Sequence, residues 1–335
     1  MKERDSNIEL LRCVAMLLVL IIHSGFLALG VPTHDELVLN LPMVFFRYFN
    51  MSISIICVNV FILLSGWYGI KFKFKRLFEF IFQVLFFSIL IYGCFILHDS
   101  NKYLNIDDAS RILMLHPNDY WFVKSYLILY IFAPALNSFI SNITKKEYRI
   151  FLICFYLMQT IYSWLVINGA SDFGGGYSAL SFMGLYLLSR YIRLYEVDLL
   201  NKKISSYLLI FVTIVLVFTG LATILTYYNI PIVGRIFTYT NPIVIIEALL
   251  FVIIFSKIKI KSKIINGIAS SCFAVYLLHS HEMVLRPYYG KIIKHFYDTE
   301  SSLLFLVYTL LFIISIFFIA ILIDKIRMLL WKIIH

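Results

Sequence analysis

Charge is scarce in this chain. Asp, Glu, Lys and Arg make up 14% of its 335 residues, against 61% hydrophobic residues and a mean hydropathy of +0.88. So few charges leave a soluble globule without the polar surface it needs. Cysteine is sparse as well. Cys13, Cys57, Cys94, Cys154 and Cys272 all fall in apolar stretches, no two form a C-x-x-C pair, and their number is odd. That excludes a zinc or disulfide framework, and free, buried thiols are expected. There is no repeat of fixed period, no low-complexity linker and no heptad array, which excludes solenoids and coiled coils. The seven prolines sit at or near the ends of apolar runs or in loops (Pro32, Pro42, Pro117, Pro134, Pro231, Pro242, Pro287). The paired interruptions that mark discontinuous transporter helices are missing.

What remains is a succession of apolar runs. A helical span needs about 20 apolar residues, and ten such runs lie between the charged loops: 8–29, 43–70, 77–97, 118–137, 150–168, 177–190, 205–228, 237–256, 264–286 and 302–323. The expected fold is an all-α polytopic membrane protein of about ten transmembrane helices. One integral-membrane domain spans 1–335, with no appended soluble domain. The first run has a small-x-small pattern at Ala28 and Gly30 but is long for a signal sequence and carries two ionisable groups, so it reads as an uncleaved helix.

The formal charge of +10 is distributed by topology. Alternate loops collect the basic residues, above all the KFKFKR run (Lys71, Lys73, Lys75, Arg76) and the KIKIKSK run (Lys257, Lys259, Lys261, Lys263), on the same side as Lys2 and Arg4. By the positive-inside rule both termini are cytoplasmic, as an even number of spans requires. The basic balance then serves topology and lipid headgroups, and no nucleic-acid partner is expected.

The first run carries Arg12 and His23, separated by ten uncharged residues. Eleven helical residues rise about 16 Å and turn roughly 20° beyond three full turns, so the two share a face. Glu9, three residues before Arg12, is placed to pair with it. His23 falls past the middle of a hydrocarbon core about 30 Å thick. An ionisable group there faces a bundle interior or a wet cavity and usually has a task, although a neutral imidazole also serves simply as a donor to a neighbouring carbonyl.

Similar weighing applies elsewhere. His279, in SSCFAVYLLHSH, is expected at a depth like that of His23, the bland alternative being that His279 and His281 form an interfacial pair near the outer headgroups. Glu247, in NPIVIIEALLF, falls near mid-depth and is suited to orient an imidazole or hydroxyl, or merely to bond a neighbouring helix. Asn59 reads as helix glue and Lys124 as a snorkelling cation. The KFKFKR run is either a cytoplasmic anchor or a recogniser of a phosphorylated ligand. The longest outer loop, about 98–116, is acidic and polar.

Four stretches together resemble the acyltransferase 3 family of bacterial integral-membrane acyltransferases that modify surface glycans. NIELLRCVAMLLVLIIH is similar to the family's opening helix with its Arg-x10-His pair. VFILLSGWYGI resembles its Phe-rich helix end, WFVKSYLILYIFAPALN its Trp-containing helix ending in Pro-x-Leu, and FAVYLLHSH its late Tyr-Leu-x-His segment. The chain departs from the family pattern in having Glu9 where Asp is frequent, and only Arg76 where two arginines often flank two residues.

The resemblance implies a multi-pass enzyme of the bacterial cytoplasmic membrane that moves an acyl group, commonly acetyl from acetyl-CoA, to a sugar hydroxyl. The acyl-CoA is a donor substrate; no permanently bound cofactor and no metal is expected. Arg12 and His23 match the family pair, and Arg76 with Lys75 and Lys73 falls where CoA phosphates would dock. His23 is the expected general base or the site of an acyl-imidazole, with Arg12, Glu247 and His279 as oxyanion or tautomer partners. The expected partners are acyl-CoA, a glycan or lipid-linked sugar, membrane lipids and envelope-glycan assembly proteins, to which any extracytoplasmic relay would fall. Two other classes stay open: a proton-coupled exporter or flippase of a small acid or lipid-linked sugar, and a scaffold subunit indifferent to loss of Arg12 and His23.

Overall fold

The computed structural model describes residues 5–166 and 172–334. Among these residues every regular element is helical. The principal helices are α1 (Ser6–Ile22), α2 (His34–Leu39), α3 (Leu41–Ser54), α4 (Cys57–Tyr68), α5 (Phe74–His98), α6 (Trp121–Asn142), α7 (Lys145–Gln159), α8 (Ala179–Tyr195), α9 (Ile204–Tyr227), α10 (Pro242–Lys257), α11 (Lys263–Ala269), α12 (Phe273–His279), α13 (Lys291–Thr299) and α14 (Ser302–Ile334), joined by shorter turns.

Six stretches of described residues are long and apolar enough to cross a membrane: Ser6–Leu27, Leu41–Tyr68, Phe74–His98, Trp121–Asn142, Ile204–Tyr227 and Ser302–Ile333. The other four expected runs take shorter or broken forms. Residues 150–168 lie on α7 and a π-helical turn, Thr160–Trp164, with 167 and 168 outside the described residues. Runs 177–190 and 237–256 correspond to α8 and α10. Run 264–286 is divided between α11, α12 and the turns that follow, because the Ser270 hydroxyl donates back to the Gly267 carbonyl at 2.7 Å, and Lys325 also donates to that carbonyl at 2.7 Å. Such local bonds compete with the helical ladder.

Two expectations are corrected. Pro134 is interior to α6, which runs on to Asn142. The polar residues that resemble a loop continue the helix by bonding back to it, as Asn142 Nδ2 does to the Ser138 carbonyl at 2.8 Å. The thiols are all free, but only Cys13, Cys57 and Cys272 are buried. Cys94 and Cys154 lie on exposed helix faces, because an apolar helix in a bilayer needs no buried partner on its outward side.

The chain divides into two compact units, Met1–Lys71 with Lys124–Lys261, and Phe72–Val123 with Ser262–His335. In the first, α4 packs on α8 and α10, α3 packs on α9, and α1 lies against α3, α4 and α10. The α4–α8 approach needs Gly66, since a Cβ there would stand 2.3 Å from the Tyr186 carbonyl oxygen. Ser189 Oγ donates to the Leu63 carbonyl at 2.6 Å beside it. Small residues and cross-helix polar bonds of this kind drive association where lipid removes the hydrophobic incentive. In the second unit, α12 packs on α5 and α14, and α13 on α14. Gln83 Nε2 donates to Asp324 at 2.9 Å, and Arg327 Nε donates to the same carboxylate at 2.6 Å, all three side chains lying within the unit.

Candidate functional site

Helix α1 builds the first unit's candidate site. Glu9 and Arg12 stand one turn apart, and Arg12 Nη1 donates to Glu9 Oε1 at 2.7 Å, as their spacing predicts. Glu9 is buried while the Arg12 side chain keeps 42% of its surface exposed. The guanidinium therefore has a fixed counter-charge on one side and keeps part of its surface exposed. Arg12 also acts electrostatically on the phenols of Tyr68 and Tyr126.

The α-helical winding ends at Ile22, and His23 opens a π-helical turn, His23–Leu27. All eleven steps from Arg12 thus keep the α-helical rise, so the side-by-side placement on one face holds, with His23 about 16 Å above Arg12. A π turn gives up regular bonding for an altered side-chain direction and is frequent at functional sites. His23 is half-buried there. The turn is held from beyond its end: Arg47 Nη2 on α3 donates to the carbonyls of Leu29 (3.3 Å) and Gly30 (3.1 Å), while its Nη1 donates to Glu36 Oε1 at 2.6 Å.

Glu247, on α10 in the same unit, has 0% exposed surface, and neither carboxyl oxygen has a hydrogen-bond partner. The sequence suggests that it orients an imidazole or hydroxyl; no such bond is formed. Asn59 does act as helix glue, its Nδ2 donating to the Tyr239 carbonyl at 3.0 Å.

The C-terminal end of α4 meets cations that sequence reasoning counted only as basic topology charge. The Arg193 guanidinium lies 5.1 Å from the Trp67 ring centroid, and Arg190 lies against Gly69, where φ is +75° and an added Cβ would meet the guanidinium carbon at 3.6 Å. A cavity of about 470 Å³ opens at the start of α1, lined by Asp5, Ser6, Asn7 and residues 258–261, which include Lys259 and Lys261.

The remaining expected residues belong to the second unit. Lys73, Lys75 and Arg76 are exposed around the first turn of α5, where the leading N–H groups point out of the helix. Cations at a helix N-terminus oppose the dipole, an arrangement that a bound polyanion relieves. His279 and His281 are both buried within the protein. His279 Nδ1 lies 2.5 Å from the Val275 carbonyl, and Nε2 lies 3.1 Å from Ser280 Oγ. Backbone Met283 N–H donates to His281 Nδ1 at 3.3 Å. Another π turn, Leu285–Gly290, follows, and its Tyr289 ring lies 5.5 Å from that of His279.

The structure thus joins Glu9 to Arg12, sets His23 above them, and puts Glu247 in the same unit, while His279, Lys73, Lys75 and Arg76 are organised within the other. Arg47, Glu36, Arg190, Arg193 and Ser280 escaped sequence reasoning. Only Ser280 carried a local signal, lying between two histidines already singled out. No group of three His, Cys, Asp or Glu capable of holding a metal occurs among the described residues.

Residues 5–324 match a family model, Acyl_transf_3, described as an acyltransferase domain. No curated protein and no solved structure matches the chain.

Proposed function

This chain belongs to the acyltransferase 3 family, and from that premise we propose that it is an O-acyltransferase of the bacterial cytoplasmic membrane, with ten spans and both termini in the cytoplasm. It transfers acetyl from acetyl-CoA to a hydroxyl of a cell-envelope polysaccharide or of its lipid-linked precursor. The observation that carries the reading is the α1 constellation: a partly open Arg12 fixed by Glu9, and a half-buried His23 opening a π turn on the same face.

The donor is polyanionic at its nucleotide end, and Lys73, Lys75 and Arg76 offer it cations at a helix start. The acyl end meets His23. As general base, its imidazole takes the sugar hydroxyl proton as the oxygen attacks the acyl carbon, an effect typically worth about 10²- to 10⁴-fold. Arg12, about 16 Å from His23 along α1, holds a polar part of the donor away from the reacting carbon. Glu247 and His279 are assigned supporting roles, the first as an uncommitted carboxyl and the second as an imidazole of fixed tautomer.

The test is transfer of label from [¹⁴C]acetyl-CoA by the full-length protein in liposomes to added envelope glycan. His23→Ala is expected to lower transfer by about 10²- to 10⁴-fold with the protein still inserted and abundant. Wild-type rates in that variant, or proton-coupled solute flux without release of CoA, would refute the proposal.

A further inference from the structure

The geometry points to Ser280 as a covalent relay: its hydroxyl takes the acyl group from the thioester, and the acceptor then takes it from the serine ester. The inference rests on the acyl-CoA reading above; the acceptor meets a serine ester in place of the thioester, with His279 as the base in both halves.

The argument begins with the proton on His279. A carbonyl oxygen only accepts, so the 2.5 Å contact with Val275 places the hydrogen on Nδ1. In the neutral ring Nε2 then carries the lone pair, and the 3.1 Å contact with Ser280 is the hydroxyl donating to it. Nucleophile, base and the group that orients the base stand in sequence, the arrangement that activates a serine. The backbone holds it in place: Ser280 N–H donates to the Tyr276 carbonyl at 2.9 Å, and Leu285 N–H to the His281 carbonyl at 2.8 Å. His279 is 1% and Ser280 6% exposed, so an ester formed there is shielded from bulk water.

A second serine–histidine contact, Ser110 with His116, shows what an unactivated pair looks like. Ser110 Oγ lies 2.7 Å from His116 Nε2, but its hydroxyl is aimed at the Asp107 carbonyl, 2.6 Å away. His116 Nε2 also lies 3.2 Å from that carbonyl and 3.5 Å from the Asp107 carboxylate, which marks it as a donor. That ring has no lone pair to give Ser110. Ser280 is bonded the opposite way.

The chemistry balances in two halves. Ser280 Oγ attacks the acyl carbon, the carbon–sulfur bond breaks, and the hydroxyl proton passes through His279 Nε2 to the departing thiolate, giving CoA thiol. The acceptor oxygen then attacks the serine ester, its proton passes to His279 Nε2, the carbon–Oγ bond breaks, and Nε2 hands that proton to Oγ, which restores the serine hydroxyl and the neutral ring. A thioester is exchanged for an ester, with no oxidant or reductant.

The full-length protein in liposomes, given [¹⁴C]acetyl-CoA without acceptor, is expected to release a burst of about one CoA per protein, with acetyl on the peptide that holds Ser280. Ser280→Ala abolishes burst and label. Ser280→Cys retains them as a thioester cleaved by neutral hydroxylamine, so the loss in the alanine variant is not a folding defect. His279→Gln slows the burst by about 10²- to 10⁴-fold. Transfer to envelope glycan by Ser280→Ala at the wild-type rate, steady wild-type turnover without a burst, or label confined to another residue overturns the relay alone. A wild-type protein that releases no CoA even with envelope glycan present overturns the acyl-transfer reading and the relay with it.

Discussion

Arg47 and Glu36 form the first unit's least forgiving contact, and removing either has a calculable consequence. The Arg47 side chain is 3% exposed and that of Glu36 29%. Breaking a buried ion pair by deleting one partner costs about 3–5 kcal/mol, because the survivor is left charged and dry. Glu36, nearly a third exposed, rehydrates in part, which lowers that figure to about 2 kcal/mol for Arg47→Met. The orphaned carbonyls of Leu29 and Gly30 add about 1 kcal/mol. Glu36→Gln strands a guanidinium with no route to water and is also expected to cost about 3 kcal/mol, although glutamine still offers an acceptor. Each single variant should then fall by roughly 6–12 °C in apparent melting temperature, at about 2–4 °C per kcal/mol. The decisive measurement is the double variant: with both charges gone it should cost about 3 kcal/mol again, not 6, a coupling of about 2–3 kcal/mol. Thermal melts of the four proteins in one detergent close the cycle. Costs that add to within about 0.5 kcal/mol would show that the two side chains do not act as a pair. Because Arg47 holds the chain just beyond the π turn, acyl transfer should fall in both single variants at temperatures where each remains folded.

Two further predictions concern carboxylates in opposite circumstances. Thr144 and Glu147 cap α7 reciprocally, and bonds from the Thr144 hydroxyl and backbone N–H hold the Glu147 carboxyl below its ordinary pKa. The stabilisation is therefore complete above the ordinary carboxylate range and is lost as pH falls through the lowered folded value. Thr144→Ala should move that acid-side loss to higher pH, read as earlier hydrogen exchange at the start of α7; an unchanged pH profile counts against the cap. For Glu247, replacement by Leu removes a buried carboxyl that nothing satisfies, so the protein should gain about 1–3 kcal/mol while acyl transfer falls. A gain in stability with activity intact would leave Glu247 outside the chemistry.

Much of the first unit's site was legible in advance, and the reason is local. Glu9, Arg12 and His23 lie on one unbroken helix, where spacing alone fixes rise and azimuth. The π turn at His23 was not legible, nor was the Arg47 clamp on the carbonyls of Leu29 and Gly30 just beyond it, because nothing in the sequence ties position 47 to position 29. The same holds for Arg190 and Arg193: as basic charges they inform topology, but their places beside Gly69 and Trp67 come from the close approach of α4 and α8 at Gly66. Span counting was limited by apolar runs that do not remain one helix. Run 264–286 is apolar enough throughout, yet Ser270 and Lys325 divert the Gly267 carbonyl and divide it.

The buried polar groups differ in how much of their bonding the fold supplies. Asp324 is bonded by both Gln83 and Arg327, and Arg47 reaches Glu36 and two carbonyls. These charges are committed to the fold, and a low dielectric makes such commitments strong. Glu247 has no bond at either oxygen, the Glu9 oxygen not held by Arg12 has none, and Ser280 gives its proton to a nitrogen able to keep it. In a lipid-embedded helix an unmet acceptor costs more than in water, and one replacement by an apolar residue would remove it. A protein that merely spans the bilayer gains nothing by retaining a buried carboxyl with no partner. One that moves protons between a hydroxyl, an imidazole and a leaving thiol requires groups whose bonding is unfinished until the substrate arrives.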